Sequence, residues 1–222
     1  MGNESTGEPA LPLGATQGDS RLRSDEVSVA RAAFESLRAG EHLTIAGLTS
    51  SSGLSRVTVD EVVGDFVRTG RAQLDGDGCL IGIVGLTKEA TRHRLVLDGA
   101  PLFTWCAFDA VGIPAALQVD AAVFTTCGYC EGPIEVDVEK GSVPSDSPLR
   151  GWLPLIENCE NVQSDFCPEA NLFCGNEHLG AWRVAAGMPE GLVMDLGEIA
   201  ALGHRSWGAV STATDMRDGV VR

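Results

Sequence analysis

Apolar positions in the first part of the chain recur with the period of amphipathic helices. From Ser24 to Gly40 they return every three or four residues, which predicts a helix capped by a serine and ended by a glycine. Residues 43–75 predict two more short helices divided by the sequence SSSG. Residues 79–87 and 93–99 are apolar runs typical of strands. Three helices followed by a two-stranded hairpin are the pattern of a winged-helix domain.

After about residue 100, predicted strands and helices follow one another in irregular order. Residues 101–118 look helical up to a break at Pro114, and residues 143–154 are predicted to form a loop. Further strands are predicted at 121–127, 133–141 and 191–196, and further helices at 176–187 and 197–210. This order indicates an α+β fold rather than a doubly wound sheet. We therefore expect an N-terminal winged-helix-like three-helix domain and a C-terminal α+β domain with mainly antiparallel or mixed strands.

The pattern also predicts a division of the chain into three parts. Residues 1–20 are rich in Gly, Ser, Pro and acidic residues, and are predicted to be a disordered lead-in. Residues 21–95 are predicted to form the winged-helix-like domain. Residues 96–222 are predicted to form the domain that carries the chemistry.

Charge argues against nucleic acid as a partner. The formal net charge is −15, and residues 20–95 carry equal numbers of acidic and basic side chains. The presumed recognition helix, RVTVDEVVGDFVRTG, contains three acidic residues and two arginines. Since phosphate neutralisation dominates binding to DNA, a DNA-binding role is disfavoured. The sequence has neither an apolar run long enough for a membrane span nor a signal-peptide pattern, so the predicted location is cytoplasmic, without membrane attachment.

Seven cysteines are the most unusual feature of the composition. An odd number in a chain of this length, without an export pattern, argues against a disulfide framework. Burial, metal binding or reactivity must then account for the thiols. They are Cys79, Cys106, Cys127, Cys130, Cys159, Cys167 and Cys174.

The sequence LFTWCAFDAVG places Cys106 three residues before Asp109. On a helix these two side chains would share a face and could contact one ligand. A thiolate prefers soft metals, and a buried carboxyl with a raised pKa can hold or release a proton. The alternative is a cysteine buried as a small apolar residue, with the aspartate acting as a cap.

The other cysteines near these motifs allow several interpretations. Cys167 precedes a proline, which predicts a bend near the surface of a cleft, and Cys174 precedes a helix whose dipole could lower the pKa of a thiol. Cys127 and Cys130 form a CxxC pair, which could be half of a zinc site or a redox dithiol. No second CxxC follows, and the four histidines show no metal-binding spacing, so the sequence favours neither.

The sequences LFTWCAFD and FCPEANLFCGNEHLGAW together resemble the alkylmercury (organomercurial) lyase family, over about residues 25–210. The resemblance implies cleavage of a carbon–mercury bond by a proton, which yields a hydrocarbon and Hg(II). It implies that Cys106 and Cys167 are the thiolates that bind mercury and that Asp109 shuttles the proton. All three residues would contact the Hg(II) product, and Cys127 would be a structural cysteine. Residues 96–222 would then be the catalytic domain.

The resemblance implies no resident cofactor. The substrate would be an organomercurial, low-molecular-weight thiols would remove Hg(II), and a mercuric ion reductase would be the natural acceptor. The alternative kept open is a soft-metal carrier or sensor that binds mercury without breaking a bond. A winged-helix regulator and a CxxC thiol oxidoreductase are two further hypotheses.

Overall fold

The computed structural model describes residues 22–41, 43–97, 99–156 and 158–211. Within these ranges, no helix combines the length and the apolar character needed to cross a membrane. Helices and two antiparallel sheets together confirm the predicted α+β class.

The described helices fall into two groups, three near the N-terminus and three in the rest of the chain. They are α1 (Ser24–Arg38), α2 (Ile45–Ser52), α3 (Arg56–Arg68), α4 (Ala107–Leu117), α5 (Asn176–Ala185) and α6 (Leu196–Ser211). A single π-helical turn is formed by residues Val162–Phe166.

Ten strands occur in the same part of the chain. They are β1 (Ala72–Leu74), β2 (Leu80–Ile83), β3 (Leu86–Thr87), β4 (His93–Leu97), β5 (Ala100–Thr104), β6 (Ala121–Thr126), β7 (Pro133–Val138), β8 (Arg150–Pro154), β9 (Asn171–Phe173) and β10 (Gly191–Met194). The larger sheet has the order β1-β2-β3-β5-β4-β6-β7 and the smaller one β10-β8-β9. Every pairing between these strands is antiparallel.

The three N-terminal helices form as the apolar period predicts. Polar side chains cap two of them: Thr44 Oγ1 accepts a hydrogen bond from the Gly47 N–H at 3.1 Å, and Ser55 Oγ accepts one from the Thr58 N–H at 3.2 Å. The three helices contact one another through their apolar faces. In this part of the chain the three helices are followed by the antiparallel pair β1–β2.

The predicted pairing within the winged-helix-like domain was wrong. The run 79–87 is two strands, because Val84 and Gly85 form a two-residue turn with positive φ at both positions (40° and 100°). Such turns normally carry Asn-Gly, and a β-branched valine gives no turn signal. Strand β2 forms hairpins with β1 and β3, whereas the second predicted strand, β4, pairs with β5 and β6.

The larger sheet crosses the predicted domain boundary. That boundary, between residues 95 and 96, lies within β4. Hydrogen bonding continues from β1 to β7 without interruption, so the two halves of the chain share one sheet. The division at this position stays a prediction, and the predicted disordered lead-in, residues 1–20, lies outside the residues that the structure describes.

Three local predictions in the second half are corrected by tertiary contacts. Residues 100–104 form a strand rather than the start of a helix, and the helix that follows runs past Pro114 to Leu117. This helix is buried along almost its whole length, and packing on all sides outweighs the cost of an interior proline. Part of the predicted loop 143–154 is strand β8, whose Trp152 is fully buried.

The buried helix α4 is fixed by a close contact with α6. Gly112 and Gly203 lie at the crossing, where a Cβ added to Gly203 would stand 2.4 Å from the Gly112 Cα. One turn further along α6, the Trp207 ring packs against Phe108 with a centroid distance of 5.0 Å, and its Nε1–H donates to the Val84 carbonyl at 2.7 Å. The glycine contact therefore sets how α6 reaches both α4 and the β2–β3 turn.

A second close contact joins α3 to the π-helical turn. The Val162 N–H donates to the Thr69 carbonyl at 3.0 Å, and the Gln163 side chain donates to the Gly70 carbonyl at 2.9 Å. Gly70 has a φ of 69°, and a Cβ there would lie 2.2 Å from Asn161 Oδ1. The N-terminal helices therefore support the segment that leads to Cys167.

We predict that Gly203→Ala destabilises the protein by about 1–3 kcal/mol or more, because the new methyl group would overlap the backbone of α4. Gly208→Ala, in the same helix, is the matched control: nothing lies within 4 Å of its Cβ position, and alanine should stabilise by up to about 1 kcal/mol. Urea unfolding of both variants measures the difference. Equal effects would contradict this account of the helix crossing.

We predict that Gly70→Ala costs more stability than Gly40→Ala. Both glycines follow a helix and have nearly equal φ (69° and 73°). Placing alanine in this left-handed conformation lowers the free energy of unfolding of either variant by about 1–2 kcal/mol. The Gly40 position has nothing within 4 Å, whereas Gly70 faces Asn161. Unfolding free energies and limited proteolysis near residues 161–167 measure the difference, and indistinguishable variants would show that this contact is unimportant.

Candidate active site

Cys106 and Asp109 lie at the N-terminus of α4, directly after β5. Cys106 is the N-cap and Asp109 is the third helical residue. The Cys106 N–H donates to Asp109 Oδ2 at 3.0 Å, and the Asp109 N–H faces the Cys106 sulphur in return. This is a reciprocal capping box in which a thiol and a carboxylate replace the usual hydroxyl and glutamate. The predicted proximity is present, but its local cause is the helix cap.

Cys167 reaches the same place from the π-helical turn. Its N–H donates to the Val162 carbonyl at 2.9 Å, which closes that turn, and a bond of 3.2 Å from the Ala107 N–H to the Ala170 carbonyl ties the following segment to α4. Cys167 lies at a bend, as the adjacent proline indicated. It is not near the surface, since only 5% of it is exposed. π-helical turns are rare in proteins overall, and those that occur are often found at functional sites.

The three predicted site residues come together in one buried cluster. The two sulphurs and a carboxylate oxygen of Asp109 all lie within 4.8 Å of one another. Cys106 is fully buried, and Asp109 is only 2% exposed. A cluster of this size can hold one ion or one reacting atom between its three side chains.

Burial dominates the electrostatics of the cluster. It raises the pKa of the Asp109 carboxyl to about 7, although hydrogen bonds from the Cys106 thiol and from the backbone of Cys106 and Trp105 lower it. Burial also raises the pKa of the Cys106 thiol well above its ordinary value, and the neighbouring Cys167 and Asp109 raise it further. For Cys167 a hydrogen bond with Cys106 lowers the pKa, but burial and the charge of Asp109 outweigh it. Near neutral pH the site therefore holds thiols and a carboxyl poised to exchange a proton.

Aromatic side chains surround the N-terminal end of α4. Phe108 meets Phe166 edge to face at 6.5 Å and also contacts Trp207. Trp105 is half-buried and its Nε1 is buried without a hydrogen-bond partner. These rings keep the dielectric constant near the cluster low, which strengthens the effect of burial on the pKa values.

Sequence reasoning missed Gly85, which forms one wall of the site. A Cβ at this position would lie 2.7 Å from the Asp109 Cγ, so only glycine lets the β2–β3 turn approach the carboxyl group. The Gly85 carbonyl also accepts the Trp105 N–H at 3.0 Å. No sequence signal identified this residue, because it stands 24 positions before Asp109 in a turn without the usual residues.

Comparison with known proteins agrees with this geometry. The family model described as alkylmercury lyase matches residues 86–208. The alkylmercury lyase of Bacillus cereus is 25% identical over 154 residues, which cover 68% of this chain and 69% of that protein. The alkylmercury lyase of Pseudomonas putida is 30% identical over 112 residues, covering 50% of this chain and 52% of that protein.

A solved structure extends the likeness beyond the matched family region. The mercury-bound form of MerB2 superposes with a TM-score of 0.78 at 25% identity, covering 86% of this chain and 94% of that one. The family match spans more than half of the sequence and includes Cys106, Asp109 and Cys167. The chain therefore belongs to the alkylmercury lyase family and is a lyase.

Proposed function

We propose that the protein cleaves the carbon–mercury bond of organomercurials by protonolysis, with Cys106 and Cys167 as mercury ligands and Asp109 as proton shuttle. One observation carries the proposal: two sulphurs and one carboxylate oxygen lie within 4.8 Å of one another in a buried site. Thiolates are the protein ligands that soft metals prefer. A carboxyl whose pKa is raised to about 7 can take up and release a proton near neutral pH.

Mercury binding must first remove protons from the thiols. The pKa values of Cys106 and Cys167 are both raised, so each sulphur exchanges its proton for mercury rather than waiting as a thiolate. As the first sulphur–mercury bond forms, the ionised Asp109 carboxylate is within reach to accept the proton. The second thiol loses its proton as it binds, and one of the two protons leaves to solvent.

Protonolysis then consumes the proton held by Asp109. Two sulphur ligands push electron density into mercury and make the attached carbon more basic. The electron pair of the carbon–mercury bond takes the proton from the carboxyl group, so a carbon–hydrogen bond forms while the carbon–mercury bond breaks. The hydrocarbon leaves, Hg(II) stays on the two sulphurs, and Asp109 is again a carboxylate.

Product release and cellular context complete the proposal. Hg(II) leaves by exchange onto low-molecular-weight thiols and passes to a mercuric ion reductase, without a resident cofactor. We propose a cytoplasmic location for these steps. For the N-terminal half we propose a winged-helix-like domain, residues 21–95, that acts as a scaffold for the catalytic domain at 96–222, since its α3 supports the segment before Cys167.

A carrier or sensor of soft metals is the alternative, because the same two sulphurs would hold Hg(II) without any chemistry. The role of Asp109 separates the two functions. A carrier needs no buried proton donor, whereas a lyase depends on it.

We predict that purified protein with excess thiol releases methane from methylmercury and benzene from phenylmercury, measured in the headspace by gas chromatography. Asp109→Asn should slow release by about 10²–10⁴-fold, the usual contribution of a proton donor, while mercury still binds. Cys106→Ser and Cys167→Ser should lose both hydrocarbon release and tight mercury binding. Cys79→Ser, outside the cluster, is the control and should keep them. Tight mercury binding by the wild type without hydrocarbon would support the carrier instead.

We predict that Asp109→Asn is also more stabilising at pH 8 than at pH 5. The folded pKa of Asp109 is raised from 3.8 to about 7, so the native state keeps a proton that the unfolded state has lost between these values. The wild type therefore loses stability as pH rises through this window. The gain from the variant should be roughly 2–3 kcal/mol larger at pH 8.

Denaturant unfolding at both pH values measures this gain. Asp146→Asn removes an exposed carboxyl group and serves as the control for the change of charge. A gain at pH 8 no larger than at pH 5 would show that burial does not hold the Asp109 proton.

A further inference from the structure

A second cluster of metal-ligating side chains shares no residue with the candidate active site. It contains Cys127, Cys130, Cys174 and His178. Three sulphurs and a ring nitrogen all lie within 4.8 Å of one another. Individual pairs are close: the Cys127 sulphur is 3.6 Å from His178 Nδ1, and the sulphurs of Cys130 and Cys174 are 3.9 Å apart.

Two separate segments of the fold build this cluster. Cys127 follows β6 and begins the turn to β7, which is closed by hydrogen bonds from the Cys127 N–H to the Gly132 carbonyl (2.8 Å) and from the Glu131 N–H to the Cys127 carbonyl (3.0 Å). Cys174 follows β9, and His178 stands in the first turn of α5. The first segment has the spacing CxxC and the second CxxxH.

Backbone contacts hold the two segments in register. The Gly128 N–H donates to the Leu172 carbonyl at 2.9 Å, which joins the turn to β9. A Cβ at Gly128 would come within 3.0 Å of the Phe173 ring, so the segments are in close contact. The Tyr129 ring packs on the His178 ring at 5.6 Å and orients the imidazole.

The surroundings of the Cys127 sulphur favour the binding of a cation. N–H groups of Cys130, Tyr129 and Cys174 and the His178 side chain are directed at the Cys127 sulphur. A turn that directs several N–H groups at one sulphur stabilises the thiolate, which is the form that binds metal. Cys127 is fully buried and Cys130 is exposed, so solvent and dissolved ions reach the cluster from the Cys130 side.

We propose that Cys127, Cys130, Cys174 and His178 bind one Zn(II) ion in a structural Cys₃His site. Four protein ligands fill a tetrahedral shell and leave no open position, which is typical of structural rather than catalytic zinc. A redox dithiol needs two sulphurs, and it does not account for a third sulphur and an imidazole within the same distance. The ion would fasten the β6–β7 turn to the β9–α5 junction, seven residues after Cys167.

Zinc content of the purified, fully reduced protein tests the proposal without any organomercurial. We expect about one zinc per chain by plasma mass spectrometry. The extended X-ray absorption fine structure at the zinc edge should show three sulphurs at about 2.3 Å and one nitrogen at about 2.0 Å. Co(II) in its place should give the intense visible absorption and the thiolate charge-transfer bands of a tetrahedral site. A reduced wild type that binds no zinc would overturn the proposal. A shell of two sulphurs and oxygen would do the same, since it would place zinc at the active-site cluster.

Single variants locate the site independently. Cys130→Ser, Cys174→Ser and His178→Asn should each lower zinc affinity at least tenfold in competition with a chromophoric chelator. Cys79→Ser and His204→Asn are matched controls outside the cluster and should bind zinc as the wild type does. Unchanged affinity in all three site variants would overturn the proposal. If a site variant fails to fold, the wild-type spectra still decide.

Discussion

The contact between Gly112 and Gly203 is the constraint on which the rest of the site depends. Two helix backbones meet where even a methyl group would overlap. This contact fixes α6 so that Trp207 reaches the Val84 carbonyl. Val84 belongs to a two-residue turn with positive φ, an unfavourable conformation for a β-branched residue, and the tryptophan bond and a 2.8 Å bond from its own N–H to the Arg71 carbonyl hold it there. The next residue of the turn, a glycine, then rests against the Asp109 carboxyl.

Burial connects this packing to the chemistry. A capping box normally serves to satisfy the free N–H groups of a helix start. Here its two polar side chains are a thiol and a carboxyl group in a site almost without exposure, and their pKa values rise for that reason. A group that holds its proton near pH 7 costs stability in the folded protein and is suited to proton transfer. In the protonolysis that we propose, carbon needs a proton and mercury needs sulphur ligands, and the same three side chains would supply both.

Sequence patterns predicted the elements whose signals are local. The helices around Val29 and Val62 follow from apolar periodicity. The helix around Leu179 follows from a polar start and a glycine stop, and the β6–β7 hairpin from two strand-like runs on either side of a glycine-containing turn. Elements defined by distant partners were missed. The sequence of strand β8 resembles a loop, because only its pairing with β9 and β10 makes it a strand. The Val84 turn lacks the Asn-Gly sequence that is usual for such turns.

The sequence by itself determined the α+β class, the family resemblance and the pairing of Cys106 with Asp109, because residues three positions apart at a helix start meet in any fold that keeps the helix. Only the tertiary structure brought Cys167 to that pair and Gly85 to the carboxyl group. It also combined CxxC with CxxxH into a four-ligand cluster, although the histidines showed no metal-binding spacing in the sequence. Two half-sites far apart in the chain carry no mutual signal, since their distance is set by strand pairing and by the packing of helices on the sheet.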